Sequence, residues 1–260
     1  MGNKKFNRKC AFIKFGSYEH MKAFYEKGEM YFNTFQYFKN LEKTEDGRGD
    51  KNEYASVHYA GEGIKNLTLK IFSNEDPDNI FYLEGGKDLK TFTLDYGDDK
   101  EFTHLYSFSY MDVDWILEND LLIDSRNFAK GKDYAVMIYD INKFNDMFLN
   151  KIKELKLAVS GNIVEYVDKN TYSGEIGAFR KFKDYEYQNE FRIAVNFNSS
   201  EPQKIYIGSL NEVAKPPVSI KEFYKNDCKI SLLDKNGKMY MHTITNKKVI
   251  DKIDDLIKLL

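Results

Sequence analysis

The chain has 260 residues, with 39 Lys plus Arg against 41 Asp plus Glu and a formal net charge of −2. That length suits one large core, burying roughly 70–75% of the unfolded surface without staples. The near-neutral balance excludes a generic duplex-DNA binder, which carries a basic excess, and gives no indication of nucleic acid beyond a local basic groove.

The opening MGNKKFNRKC has basic residues but no long apolar stretch behind it, so no signal peptide is expected. Phe6 stands where a myristoylation signal wants Ser or Thr. AFIKFG at 11–16 alternates as a short strand. Ser17 can cap a following helix in which Met21, Phe24 and Tyr25 fall at helical spacing, and Gly28 stops it. EMYFN then predicts a second strand and TFQYFKNLE a short helix with Phe35, Phe38 and Leu41 on one stripe. A charge-dense loop follows, TEDGRGDKNE.

From about 54 to 110 the pattern turns to β. NLTLKIFS, NIFYLEG, LKTFTLDYG and HLYSFSYM are alternating or aromatic-rich runs punctuated by Gly, Asp, Asn and Pro77. DVDWILEND predicts a short helix capped by Asp112. YAVMIYD (134–140) predicts a strand, and INKFNDMFLNKIKEL a helix with Ile141, Phe144, Phe148, Ile152 and Leu155 in register. LAVSGNIVEYVD reads as a strand or a bent pair, EFRIAVNFN and KIYIGSL as strands. Two runs around Asn236-Gly237, a favoured tight-turn pair, read as a hairpin. A terminal helix carries Val249, Ile253, Leu256, Ile257 and Leu260 on its apolar face. No repeat and no low-complexity segment interrupts 1–260. The expectation is a single α+β domain with a curved, mainly antiparallel sheet core and short flanking helices.

Two cysteines, Cys10 and Cys228, lie too far apart in sequence to suggest a disulfide framework or a metal centre, and predict reduced thiols in a cytoplasmic protein. No window reaches the ~20 apolar residues that cross a bilayer, so no membrane partner is expected. The four histidines are not at ligand spacing, and no H-E-x-x-H, nucleophile elbow or Gly-rich phosphate loop occurs. No metal site is expected.

Three clusters can carry chemistry. In the loop, two glycines let the backbone pass close to a ligand; Arg48 can fork onto a phosphate or carboxylate, with Asp50 or Glu53 orienting it. A solvated loop with self-neutralising charges is the plain alternative. In SFS, alternation puts the Ser107 and Ser109 hydroxyls on one strand face, able to meet a ribose, or merely solvent. In FRKFKDYEYQNEFRIAV, Glu190 and Arg192 share a strand face opposite Phe191 and Ile193, Gln188 extends it, and Arg180, Lys181 and Lys183 lie upstream. Such a pair reaches into a cleft, forms a buried network tying the strand to the charged loop, or lies on a plain solvent-facing strand.

These segments resemble a widespread family of uncharacterised bacterial and phage proteins. The family's phrases correspond here to Gly28–Phe38, Arg48–Glu53, Ser107–Ser109 and Tyr187–Arg192, with Gln188 standing where the family has Glu. Members often look like mobile-element or defence genes. A looser resemblance is to ADP-ribosyltransferases, which place a Ser-x-Ser strand centrally and a Q/E-x-E phrase late; Ser107–Ser109 and Gln188–Glu190 come in that order, with only Lys14 at the first-strand position. That resemblance implies NAD as substrate, Glu190 as the catalytic residue bonding the nicotinamide ribose, Gln188 positioning the acceptor, and Tyr106 or Phe35 stacking on a ring. The functional expectation is a nucleotide- or NAD-processing protein of bacterial–phage conflict, or a non-catalytic module that binds a nucleotide or nucleic-acid end with the same groups.

Overall fold

The computed structural model describes residues 10–41, 55–76, 78–95, 103–112, 132–220, 228–233 and 239–244. The chain opens with strand β1 (Cys10–Gly16), helix α1 (Tyr18–Lys27), strand β2 (Glu29–Thr34) and helix α2 (Phe35–Leu41). Ser17 Oγ accepts from the His20 amide at 3.3 Å and starts α1. Gly28, at φ 61°, ends it, and a Cβ there would run into the carbonyl oxygen of Gly208. Thr34 Oγ1 accepts from the Tyr37 amide at 3.2 Å and starts α2.

Next come β3 (Val57–Tyr59), helix α3 (Gly61–Ile64), β4 (Thr68–Phe72), β5 (Ile80–Glu84), β6 (Phe92–Leu94), β7 (Thr103–Asp112) and β8 (Tyr134–Ile138). Helix α4 (Ile141–Glu154) starts where Asp140 Oδ1 accepts from the Lys143 amide. Strands β9 (Ala158–Ile163), β10 (Glu165–Val167), β11 (Gly174–Glu175), β12 (Arg180–Phe182), β13 (Glu190–Asn196), β14 (Gln203–Tyr206), β15 (Val218–Ser219), β16 (Cys228–Leu233) and β17 (Met239–Ile244) follow. The expected helix after Asp112, the Asn236-Gly237 turn and the terminal helix lie outside the described residues.

The fold is α+β with an open, mainly antiparallel sheet. Strand β7 is its hub. Along one edge β13 pairs with it from Thr103 to Ser109, and β9 pairs with β13 beyond. Its other edge is shared: β1 covers Ser109–Asp112, and β2 covers His104 and Leu105. From there β1 leads on to β8 and β15, and β2 to β14.

One face of this sheet is apolar at almost every position. Phe12, Tyr106, Phe108, Phe191, Ile193 and Val195 pack against Met21 and Phe24 of α1 and Phe144, Phe148 and Ile152 of α4. The helical spacing read from the sequence is the face that meets the sheet, except for Leu155, which follows the last turn of α4 and is exposed. Buried Cys10 belongs to this core. On the opposite face Phe35, Leu105 and Ala194 form a smaller cluster with Ala178 and Phe179. Beside it, β3 joins β6 and β11, and β10 pairs with β12 in parallel around Val167, Ile176 and Phe182.

Candidate functional site

Opposed residues of an antiparallel pair share a face. Glu190 stands opposite Ser109, and Arg192 opposite Ser107. The two serines and the Glu–Arg pair, separated by some eighty positions of chain, are therefore nearest cross-strand neighbours on the sheet face away from α1 and α4. Arg192 continues the row to Asn162 of β9. One step along, Asn33 of β2 lies opposite Leu105, which is itself opposite Ala194.

The charges on this face are closely held. Arg192 Nε donates to Glu190 Oε2 at 2.7 Å, and Lys181 Nζ lies 3.5 Å from the same oxygen. Side-chain exposures of 2% for Arg192, 4% for Lys181 and 15% for Glu190 decide the character of the site: both cations are buried, and the carboxylate keeps a small opening. Arg192 Nη1 also donates to the Ala178 carbonyl at 2.9 Å, and Lys181 Nζ to Gln188 Oε1 at 2.7 Å. The Glu190 amide donates to the Tyr166 hydroxyl at 3.0 Å. Burial works against a charge on Glu190, but Arg192, Lys181 and Lys132 outweigh it and hold the carboxyl down at about 2. Glu190 is thus a fixed negative charge, unable to act as a general acid near neutrality. Burial, with the negative charge of Glu190, raises the pKa of Tyr166.

Gln188 departs from the expectation. It ends a 3-10 turn (Lys183–Gln188) instead of extending the strand, because Asn189 takes a left-handed conformation at φ 41° between it and Glu190. Asn189 Nδ2 donates to the Tyr110 carbonyl, and that contact fixes the bend. Gln188 joins the site through Lys181 rather than through the strand face. Arg48, Asp50 and Glu53 lie outside the described residues.

Several participants carry only faint signals in the sequence. Lys181 was one of three cations in a run; pairing with β10 selects it by turning it inward. Tyr166 belongs to a three-residue strand too short to show a period. Asn33 has a buried side-chain oxygen with no hydrogen-bond partner among the described residues. Buried acceptors are ordinarily paired with a protein donor or an ordered water.

Lys14 is the most unusual of them. It points to the helix-covered face, a half-buried cation in an otherwise apolar strand. Its Nζ donates to the Ser107 carbonyl at 2.7 Å where β1 and β2 diverge from β7, and lies 3.9 Å from the centre of the Tyr106 ring. Burial and the Lys132 charge pull its ammonium down to about 7, against the opposing pull of Glu190. The folded amine releases its proton near 7 and the unfolded one near 10.5, so between those values the unfolded state binds more protons. The burden Lys14 places on the fold is full below about 7 and fades toward 10.5. Wild type is accordingly expected to gain stability relative to Lys14→Met between pH 6 and pH 9.5, read by urea denaturation. A difference independent of pH would contradict this placement of the amine.

His58 and His104 serve the scaffold. Both are buried; His58 bridges Thr93 Oγ1 and the Lys169 carbonyl, and His104 Nε2 meets the Glu201 carbonyl. Among the described residues no group of three His, Cys, Asp or Glu is placed to hold a metal, and no helix is long and apolar enough to cross a membrane.

Fold and site define a class of protein: an α+β domain whose open antiparallel sheet is covered by helices on one face and carries a hydroxyl- and charge-bearing patch on the other. No family model, curated protein or solved structure matches the chain.

Proposed function

We propose that the patch formed by Ser107, Ser109, Glu190 and Arg192 binds a nucleotide-derived small molecule in the cytoplasm, and that the molecule it acts on is NAD. The observation that carries this reading is the register: Ser109 opposite Glu190 and Ser107 opposite Arg192. Two hydroxyls beside a permanently ionised carboxylate suit a ribose, and the open acceptor of Asn33 suits a carboxamide or hydroxyl donor. When the bond between ribose C1′ and the nicotinamide nitrogen breaks, the electron pair leaves with nicotinamide and positive charge develops on the sugar. Glu190 stabilises that charge. The acceptor, water or another nucleophile, gives its proton to solvent, since Glu190 is too weak a base to take it. The same proposal places this chemistry in conflict between bacteria and phage.

A second reading, binding without turnover, is favoured by the ties on Glu190 itself. Its Oε2 is engaged by both Arg192 and Lys181, and those cations also anchor Ala178 and Gln188. Incubation with NAD and chromatographic measurement of nicotinamide separates the two. Wild type is expected to release nicotinamide, and Glu190→Gln, assayed well below its melting temperature, to release none. Release by the variant at the wild-type rate rejects the catalytic reading; NAD binding without release supports the second.

A further inference from the structure

Two groups beside the Glu190 ion pairs are held in place yet keep a bonding capacity in reserve. The first is Oε1 of Glu190. Arg192 Nε and Lys181 Nζ both engage Oε2, and no hydrogen bond from the described residues reaches Oε1. The second is the hydroxyl of Tyr166, a half-buried residue of β10. Its oxygen accepts from the Glu190 amide at 3.0 Å, and among the described residues no acceptor takes its proton. Because it is bonded to the amide of Glu190, the hydroxyl lies within one glutamate side chain of the carboxylate. The charges of Glu190 and Arg192 both act on it.

The two have opposite and fixed polarity. An ionised carboxylate only accepts. Burial keeps the proton on Tyr166, whose oxygen already accepts from the amide, so the hydroxyl is set to donate. A ligand that satisfies both offers a donor and an acceptor on neighbouring atoms. A phosphate offers acceptors alone and is repelled by the carboxylate. An ammonium offers donors alone, and two buried cations already neutralise Glu190. One hydroxyl meets either group; two on adjacent carbons meet both, the first donating to Oε1 and the second accepting from Tyr166. We infer that Tyr166 is a specificity-determining residue of this face, its hydroxyl and Glu190 Oε1 together selecting a ligand with an intact vicinal diol, ribose over deoxyribose. This inference rests on the reading of the face as a nucleotide site.

Calorimetric titration of the full chain with ADP-ribose, and with its analogues lacking the 2″- or the 3″-hydroxyl of the terminal ribose, tests it. Wild type is expected to bind ADP-ribose about tenfold more tightly than either analogue, the worth of one well-placed hydrogen bond. Tyr166→Phe, with the wild-type circular dichroism spectrum, is expected to bind ADP-ribose about tenfold more weakly and to lose its preference over at least one analogue. A hydroxyl that merely ties down the Glu190 amide would instead lower all three affinities by the same factor and leave the ratios as they were. Preserved ratios in Tyr166→Phe overturn the inference. So does equal affinity of wild type for the three ligands, a result that does not depend on the variant's stability. Either outcome leaves ADP-ribose binding, and with it the ligand reading, standing; no binding of ADP-ribose by wild type overturns both.

Discussion

Glu190→Gln is expected to lower stability at pH 7 by about 3 kcal/mol, a fall of roughly 6–12 °C in melting temperature for a chain of this size. The substitution keeps the shape and removes the charge. It leaves the guanidinium of Arg192 and the ammonium of Lys181, both buried, without their shared carboxylate. The same magnitude follows from the carboxyl itself. A group held at about 2 against a model value of 4.5 contributes about 3 kcal/mol when both states are above their own titration. The contribution is fully present above pH 4.5 and is lost as pH falls through about 2. The gap between wild type and Glu190→Gln in denaturant melts should therefore be constant from pH 5 to pH 7 and close toward pH 2. A variant as stable as wild type at pH 7 would show that Glu190 is not the counter-charge of the buried cations.

Phe108→Ala should cost about as much, roughly 3–5 kcal/mol. Phe108 is 1% exposed and sits at the centre of the aromatic core. Its ring stacks on Phe12 at 5.1 Å, meets Tyr106 at 5.1 Å and Phe144 edge-on at 5.5 Å, and lies 6.2 Å from Phe24. These neighbours come from β1, β7, α4 and α1, so no single element can collapse into the space. The loss also reaches the opposite face, because Phe108 is the inward residue between Ser107 and Ser109. Phe108→Ala is thus expected to weaken ligand binding as well as stability. Unchanged affinity would mean that the serines are positioned independently of the core.

What the sequence made legible follows from local periodicity. Helices α1 and α4 could be read because their apolar spacing is regular, with Ser17 marking the start of α1; the cap of α4 at Asp140 came only from the structure. The inward turn of Phe108, and the shared faces of Ser107 with Ser109 and of Glu190 with Arg192, follow from alternation alone. Their meeting does not. The register that sets Ser109 against Glu190 is chosen by packing of Phe191 and Ile193 on Phe12 and Tyr106, contacts between distant parts of the chain. Strands β3, β11 and β12 are two or three residues long and exist only through their partners, so no local pattern marks them. Gln188 was misplaced because a left-handed Asn189 interrupts what reads as a continuous strand. Lys14 did have a signal, a lysine at an inward position of an apolar strand.

The measurement that bears most directly on the central idea, that this face of the sheet is a ligand site and more than a structural tie, is calorimetric titration of ADP-ribose into wild type and into the Ser107→Ala/Ser109→Ala double variant. Neither serine belongs to the Glu190–Arg192–Lys181 ion pairs, so the double variant should keep the wild-type melting temperature within about 2 °C. The account predicts binding by wild type and affinity at least about tenfold weaker in the double variant, a loss of about 1.4 kcal/mol. Equal affinity in the two proteins, or no binding to wild type, would contradict it.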